Sequence, residues 1–123
     1  NTSLLGKIDN VEEYLNAASL GVLFTYSEGF SNSILEYMVS GIPVITNDVL
    51  GGSKEILLSG INGYILNTHE DIINKIQYLL EHQDLCYKMG FFARNHIISK
   101  FTIDEMGINF LKIYSGLRKK SMI

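Results

Sequence analysis

Residues 21–46 read GVLFTYSEGFSNSILEYMVSGIPVIT, and how this stretch folds decides the architecture of the chain. It opens with GVLFTY (21–26), an apolar, β-rich run without polar alternation. That pattern predicts a strand buried on both faces, as in a parallel sheet. A glycine turn follows at Gly29, and the next residues predict a helix from Asn32 to Val39. Gly41 and Pro43 stop that helix. PVITN (43–47) predicts a second buried strand. Strand, turn, helix and strand in that order are the repeating unit of an α/β fold with a parallel sheet.

The flanks extend the pattern. SLLG (3–6) reads as the end of a short strand, and DNVEEYLNAAS (9–19) as a helix. Asp9 or Asn10 can cap that helix, with Glu12 and Glu13 in the first turn, where the helix dipole favours carboxylates. SKEILL (53–58) predicts a short helix capped by Ser53, and NGYIL (62–66) a turn into a brief strand. From Thr68 onward the period becomes helical. THEDIINKIQYLLEH (68–82) carries an apolar stripe at Ile72, Ile73, Ile76, Leu79 and Leu80. Thr68 and Asp71 give a cap signal. QDLCYKMGFFARNHIISKF (83–101) predicts a second helix, and TIDEMGINFLKIYSGLRKK (102–120) a third, with Thr102 and Glu105 spaced as a capping box. The expected fold class is α/β: a Rossmann-like parallel sheet with flanking helices, and a helical C-terminal segment whose apolar stripes cover it as core.

Bulk composition narrows the function classes. The 123 residues are 46% apolar and 19% charged, enough to bury a core in one domain or a piece of one. A formal net charge of −3 gives no electrostatic case for nucleic acid as a partner. The single cysteine, Cys86, forms no disulfide framework and has no neighbouring base to make it a nucleophile. His69, His82 and His96 lack metal-ligand spacing and read as surface or packing residues. No apolar run approaches the roughly 18 residues of a membrane span. The basic end, LRKKSM (117–122), reads as a solvated helix end, with contact to anionic lipid as the alternative. Cytoplasmic placement is expected, with peripheral contact at the inner membrane face as an option. The chain starts at Asn1, with apolar sequence almost at once, so residues 1–123 are expected to be one piece of a longer protein.

The chemistry concentrates in SEGFSNSILE (27–36). In an open parallel sheet, a strand-to-helix turn lies at the carboxyl edge, where ligands bind. Free N–H groups of residues 31–34 at the helix start, aided by the dipole, form an anion site. Gly29 lets a ligand approach the backbone closely. Glu28 and Glu36 would repel a phosphate but can accept hydrogen bonds from hydroxyls on either side of it. Ribose, diphosphate and sugar, in that order, have this layout. The structural alternatives stand beside this reading. Ser33 and Glu36 are also spaced as a capping box. Glu28 can be a solvated loop residue, Asn32 and Ser33 caps, and Phe30 a lid on the core.

The ordered series Glu28–Glu36 with seven residues between, SGIPVI, GGSKE and INGYIL resembles the C-terminal domain of the retaining, two-Rossmann-domain (GT-B) group 1 glycosyltransferases. LGKIDNVEEYLNAASLGVLFTYS is similar to the helix and strand that precede it there, and the likeness runs from about residue 4 to 115. It implies transfer of a sugar from a nucleotide-diphosphate sugar to an acceptor, with retention at the anomeric carbon. Bacterial surface glycan synthesis is the implied setting. Glu28 is then the catalytic-site residue that holds donor-sugar hydroxyls by the reacting carbon. Gly29, Phe30 and Ser31 present N–H groups to the sugar and distal phosphate. Asn32 and Ser33 meet the diphosphate, and Glu36 accepts from the ribose. No metal and no cofactor is implied. A glycan or lipid-linked acceptor, an acceptor-binding N-terminal domain and a basic pair for the phosphates would come from sequence upstream. Ser31 departs from the glycine or proline common there, which puts close backbone approach in doubt. Gly51, Gly52 and Glu55 match a turn given a structural role, and Lys54 is expected on the surface. A sugar-nucleotide epimerase or phosphorylase of the same architecture, and a non-catalytic interaction module, are the alternatives.

Overall fold

Val44, Ile45 and Thr46 expose no surface, and the chain is assembled around them. The computed structural model describes residues 2–27, 29–48 and 52–120, the last four by backbone alone. In chain order the elements are α1 (Val11–Ala17), β1 (Gly21–Leu23), α2 (Asn32–Val39), β2 (Val44–Thr46), α3 (Ser53–Ile56), β3 (Gly63–Ile65), α4 (His69–Glu81), α5 (Gln83–Lys100) and α6 (Ile103–Lys120). The strands form a parallel sheet in the order β1-β2-β3. Gly21 pairs with Val44, and Val44 in turn with Gly63.

Adjacent residues of a strand face opposite ways, and β2 feeds two cores accordingly. Val44 joins Ile34 and Met38 of α2, Ile56 and Leu57, and Ala93 and Ile97 of α5. Ile45 joins Leu79 of α4 and Cys86 and Met89 of α5. A fully buried side chain of this size contributes about 1.5–3 kcal/mol. The long α5 therefore serves both faces.

The seat of α2 depends on glycine. α2 ends at Ser40, and Gly41 reverses the chain with φ +76°, a conformation glycine adopts without strain. Gly90 of α5 sits against that turn so closely that a Cβ there would collide with the Gly41 carbonyl.

Four expectations need correction. Residues 3–6 form no strand, and Leu4 and Leu5 are exposed, because no described strand lies beside them to take up their backbone bonds. The first strand stops at Leu23 rather than Tyr26 and is not buried on both faces. β1 is an edge strand here, and Val22, Phe24 and Tyr26 are exposed. Ser53 does not cap α3: Gly52 holds that position, and Ser53 is the first helical residue, buried. Lastly, α5 covers the sheet but α6 does not. Its stripe residues Met106, Phe110, Ile113 and Tyr114 are exposed.

The Gly90–Gly41 contact gives a direct test. Gly90→Ala is expected to destabilise the protein by about 2 kcal/mol, since overpacking outweighs alanine's better helix propensity. Urea unfolding measures it, and an unchanged midpoint would contradict the close approach.

Candidate functional site

Asn47 prepares the site at the carboxyl edge. β1 and β2 stop pairing after Leu23 and Thr46, but the Asn47 side chain carries the link one step further. Its Oδ1 accepts from the Thr25 N–H at 3.1 Å, and its Nδ2 donates to the Thr25 carbonyl at 2.8 Å. The segment leaving β1 is thereby tied to the segment leaving β2. The turn beyond it is held again where the Gly52 N–H donates to the Gly29 carbonyl at 2.9 Å. Gly52 packs flat against this turn. A Cβ there would stand 3.1 Å from the Gly29 oxygen and 3.1 Å from Phe30 Cδ2.

Helix α2 starts two residues earlier than the Ser33–Glu36 capping box requires. The N-cap is Ser31, with extended backbone, and its Oγ accepts from the Ile34 N–H at 3.4 Å. The residue three places on is Ile34, which carries no carboxylate, so the capping-box reading of Ser33 and Glu36 is wrong. Burial accounts for it: Ser31 is 1% exposed, its hydroxyl needs a partner, and among the described residues the helix start supplies one. Ser31 thus spends its side chain inside the fold. The Leu35 N–H goes to the Ser31 carbonyl at 3.2 Å. That leaves the N–H groups of Asn32 and Ser33 without an intrahelical partner. Both residues are exposed, as are Gly29 and Phe30.

Glu36 is free of capping and exposed on the second turn of α2. It lies roughly 7 Å along the helix axis from the cap. There it lines a cleft of about 720 Å³ shared with Asp9, Asn10 and Glu12 of the α1 start, Ser40, and Arg94 of α5. Asn10 is at the N-cap position of α1, yet its side chain donates to Glu13 Oε1 at 2.6 Å instead of capping.

Glu28 and Gly51 lie outside the described residues. The structure gathers Gly29, Phe30, Ser31, Asn32 and Ser33 in one turn, with Glu36 a turn and a half beyond. Glu55 is exposed on α3. Lys54 is also exposed and pairs with Asp48 at 2.9 Å. Among the described residues no His, Cys, Asp and Glu side chains gather in a group of three as a metal would need. No described helix is long and apolar enough to cross a membrane.

Among the described residues, two titratable groups are shifted. Burial, then Asp84, pushes the Cys86 thiol up, and its Sγ–H donates to the Leu79 carbonyl at 3.2 Å. Burial, then Lys100, pushes His96 down. Its Nε2 has no hydrogen-bond partner among the described residues, and its ring packs on Phe101. The sequence reading missed Asn47, Phe101 and Ser31's capping role, because each depends on a neighbour that is distant or shifted in register.

A family model described as glycosyl transferases group 1 matches residues 1–82. The N-acetyl-alpha-D-glucosaminyl L-malate synthase of Bacillus anthracis is 31% identical over 112 residues, covering 89% of this chain and 29% of the relative. The poly(ribitol-phosphate) alpha-N-acetylglucosaminyltransferase of Staphylococcus aureus is 27% identical, covering 94% of this chain and 24% of the relative. A TarM variant from S. aureus, solved with fondaparinux, alpha-GlcNAc-glycerol and UDP, superposes with TM-score 0.85 at 28% identity. That match covers 93% of this chain and 24% of the TarM chain. The chain thus spans a quarter to a third of these relatives' lengths.

Two stability tests follow. Ser31→Ala is expected to cost about 1 kcal/mol, while Ser33→Ala changes little. A larger loss for Ser33→Ala than for Ser31→Ala in urea unfolding would contradict the Ser31 cap. For His96, the unfolded state takes up the proton more readily than the folded state. Its contribution is therefore fully present above the ordinary value of 6.5 and is lost as pH falls below it. Unfolding midpoints at pH 7.5 and 5.5 should differ less in His96→Gln than in the wild type.

Proposed function

This chain belongs to the group 1 glycosyl transferases, and from that premise we propose that it forms the donor-binding part of an enzyme that transfers a sugar from a nucleotide-diphosphate sugar with retention at the anomeric carbon. The observation that supports this reading is the layout of α2. Two N–H groups without intrahelical partners, those of Asn32 and Ser33, belong to exposed residues at its start, and Glu36 stands exposed on the same helix, uninvolved in capping. In this reading the N–H groups of Asn32 and Ser33 take the diphosphate, and Gly29, Phe30 and Ser31 face the distal phosphate and sugar. Glu36 accepts from the ribose hydroxyls. Glu28 holds sugar hydroxyls beside the reacting carbon.

The bond from the anomeric carbon to the diphosphate oxygen breaks, and negative charge grows on the leaving group. Fixed N–H dipoles at a helix start stabilise that charge without reorganising, which is the main electrostatic route to rate acceleration. The new bond forms from the acceptor oxygen to the anomeric carbon, and the acceptor's proton passes to the leaving diphosphate oxygen. This charge stabilisation needs no metal. The acceptor is a glycan or lipid-linked glycan held by a further domain of the full-length protein. The setting we propose is bacterial surface glycan synthesis at the inner face of the membrane; the poly(ribitol-phosphate) in one relative's name supports the glycan part.

Calorimetric titration of the full-length protein with UDP, GDP and ADP tests the binding part. One of the three should bind, and Glu36→Gln should weaken it roughly tenfold, the scale of a hydrogen bond to a charged group. Unchanged affinity in a folded Glu36→Gln variant would remove the ribose role. The anomeric coupling in the product's proton NMR spectrum tests retention, and an inverted product would sink it.

A further inference from the structure

Phe30 is the apolar anchor of the donor turn, yet half of it is exposed and it is no part of either buried core. On one side it rests on Gly52. On the other it meets Phe101, whose ring centroid lies 5.6 Å away at an interplanar angle of 42°. Phe101 in turn lies 5.6 Å from the His96 ring at 58°. Both separations fall in the range of attractive aromatic pairs.

Phe101 is the better fixed of the two phenylalanines. It packs against the core that holds Ile34, Met38 and Ile97. Its N–H donates to the Ile97 carbonyl at 2.9 Å as the last step of α5. Directly after it, Thr102 Oγ1 accepts from the Glu105 N–H at 3.2 Å and starts α6. The backbone at Phe101 is thus tied on both sides. Its ring also borders a groove of about 470 Å³ that Phe30, Leu35, Met106 and Phe110 line. Among the described residues, Phe101 makes the one aromatic ring contact with Phe30, and Gly52 lies against it.

We infer that Phe101 is a positioning residue for sugar transfer: through Phe30 it holds the turn 29–31 at the distance the donor's distal phosphate requires. The inference rests on the donor-site reading above. It places the control of the donor turn at the α5–α6 joint, seventy residues away in sequence. It also separates two halves of the site. The ribose side, on the second turn of α2, is held by the fully buried Ile34 and Met38, against whose core Phe101 packs only from the margin. Phe101 therefore bears mainly on the distal-phosphate side.

The test compares a nucleoside diphosphate with its monophosphate, using the base that the wild-type full-length protein prefers (UDP against UMP, or GDP against GMP). Phe101→Leu keeps apolar volume but loses the ring. It is expected to weaken the diphosphate roughly three- to tenfold, the size of one aromatic pair, and the monophosphate clearly less. Phe101→Tyr should retain wild-type affinity. Phe30→Leu combined with Phe101→Leu should lose no more than either change alone, since the two act as one contact. Equal weakening of both nucleotides, or of neither, in a variant with wild-type circular dichroism would overturn the inference while leaving the donor site standing. Absence of any nucleotide binding by the wild type would overturn the donor-site reading itself, and this inference with it.

Discussion

Ile34 and Met38 are completely buried between the sheet and α5, and the seating of α2 that results governs everything at the carboxyl edge. A helix start is a useful charge site only if its direction is fixed. Here the direction comes from two apolar anchors on one face of α2 and from the absence of side chains where Gly41 meets Gly90. With α2 so placed, its opposite face carries Glu36 outward to the cleft beside α1. Packing and presentation are the two sides of one helix.

The turn before α2 obeys a different constraint. It is irregular backbone, so its groups must be satisfied one at a time. Asn47 takes both backbone groups of Thr25, Gly52 takes the Gly29 carbonyl, and Ser31 takes the Ile34 N–H. Each partner comes from a different element. With no side chain, Gly52 lies directly against Gly29 and Phe30. After these bonds are made, the N–H groups of Asn32 and Ser33 have no intrahelical partner.

The exposed stripe of α6 and the open edge of β1 fit a chain that spans a quarter to a third of its relatives' lengths. Apolar periodicity marks where a helix or strand wants cover. It does not say which part of a protein supplies it. The same reasoning that correctly placed α5 on the sheet failed for α6, because both helices carry apolar residues and only one has a described surface to bury them on.

Much of the fold and of the site was legible in the residues themselves. The β-α-β unit, the helix from Asn32 to Val39, the caps at Thr68 and Thr102, and the family resemblance follow from local features: apolar runs, glycine stops and short fixed spacings. These act within one turn or strand, so the local sequence determines them. Tertiary structure alone decided the rest. Whether Ser31 or Ser33 caps α2 depends on which hydroxyl is buried. Whether Val22 faces solvent depends on what lies beside β1. That Phe101 meets Phe30 depends on α5 bringing its end back to the start of α2. Burial and long-range contact are properties of the folded chain, and no local spacing encodes them.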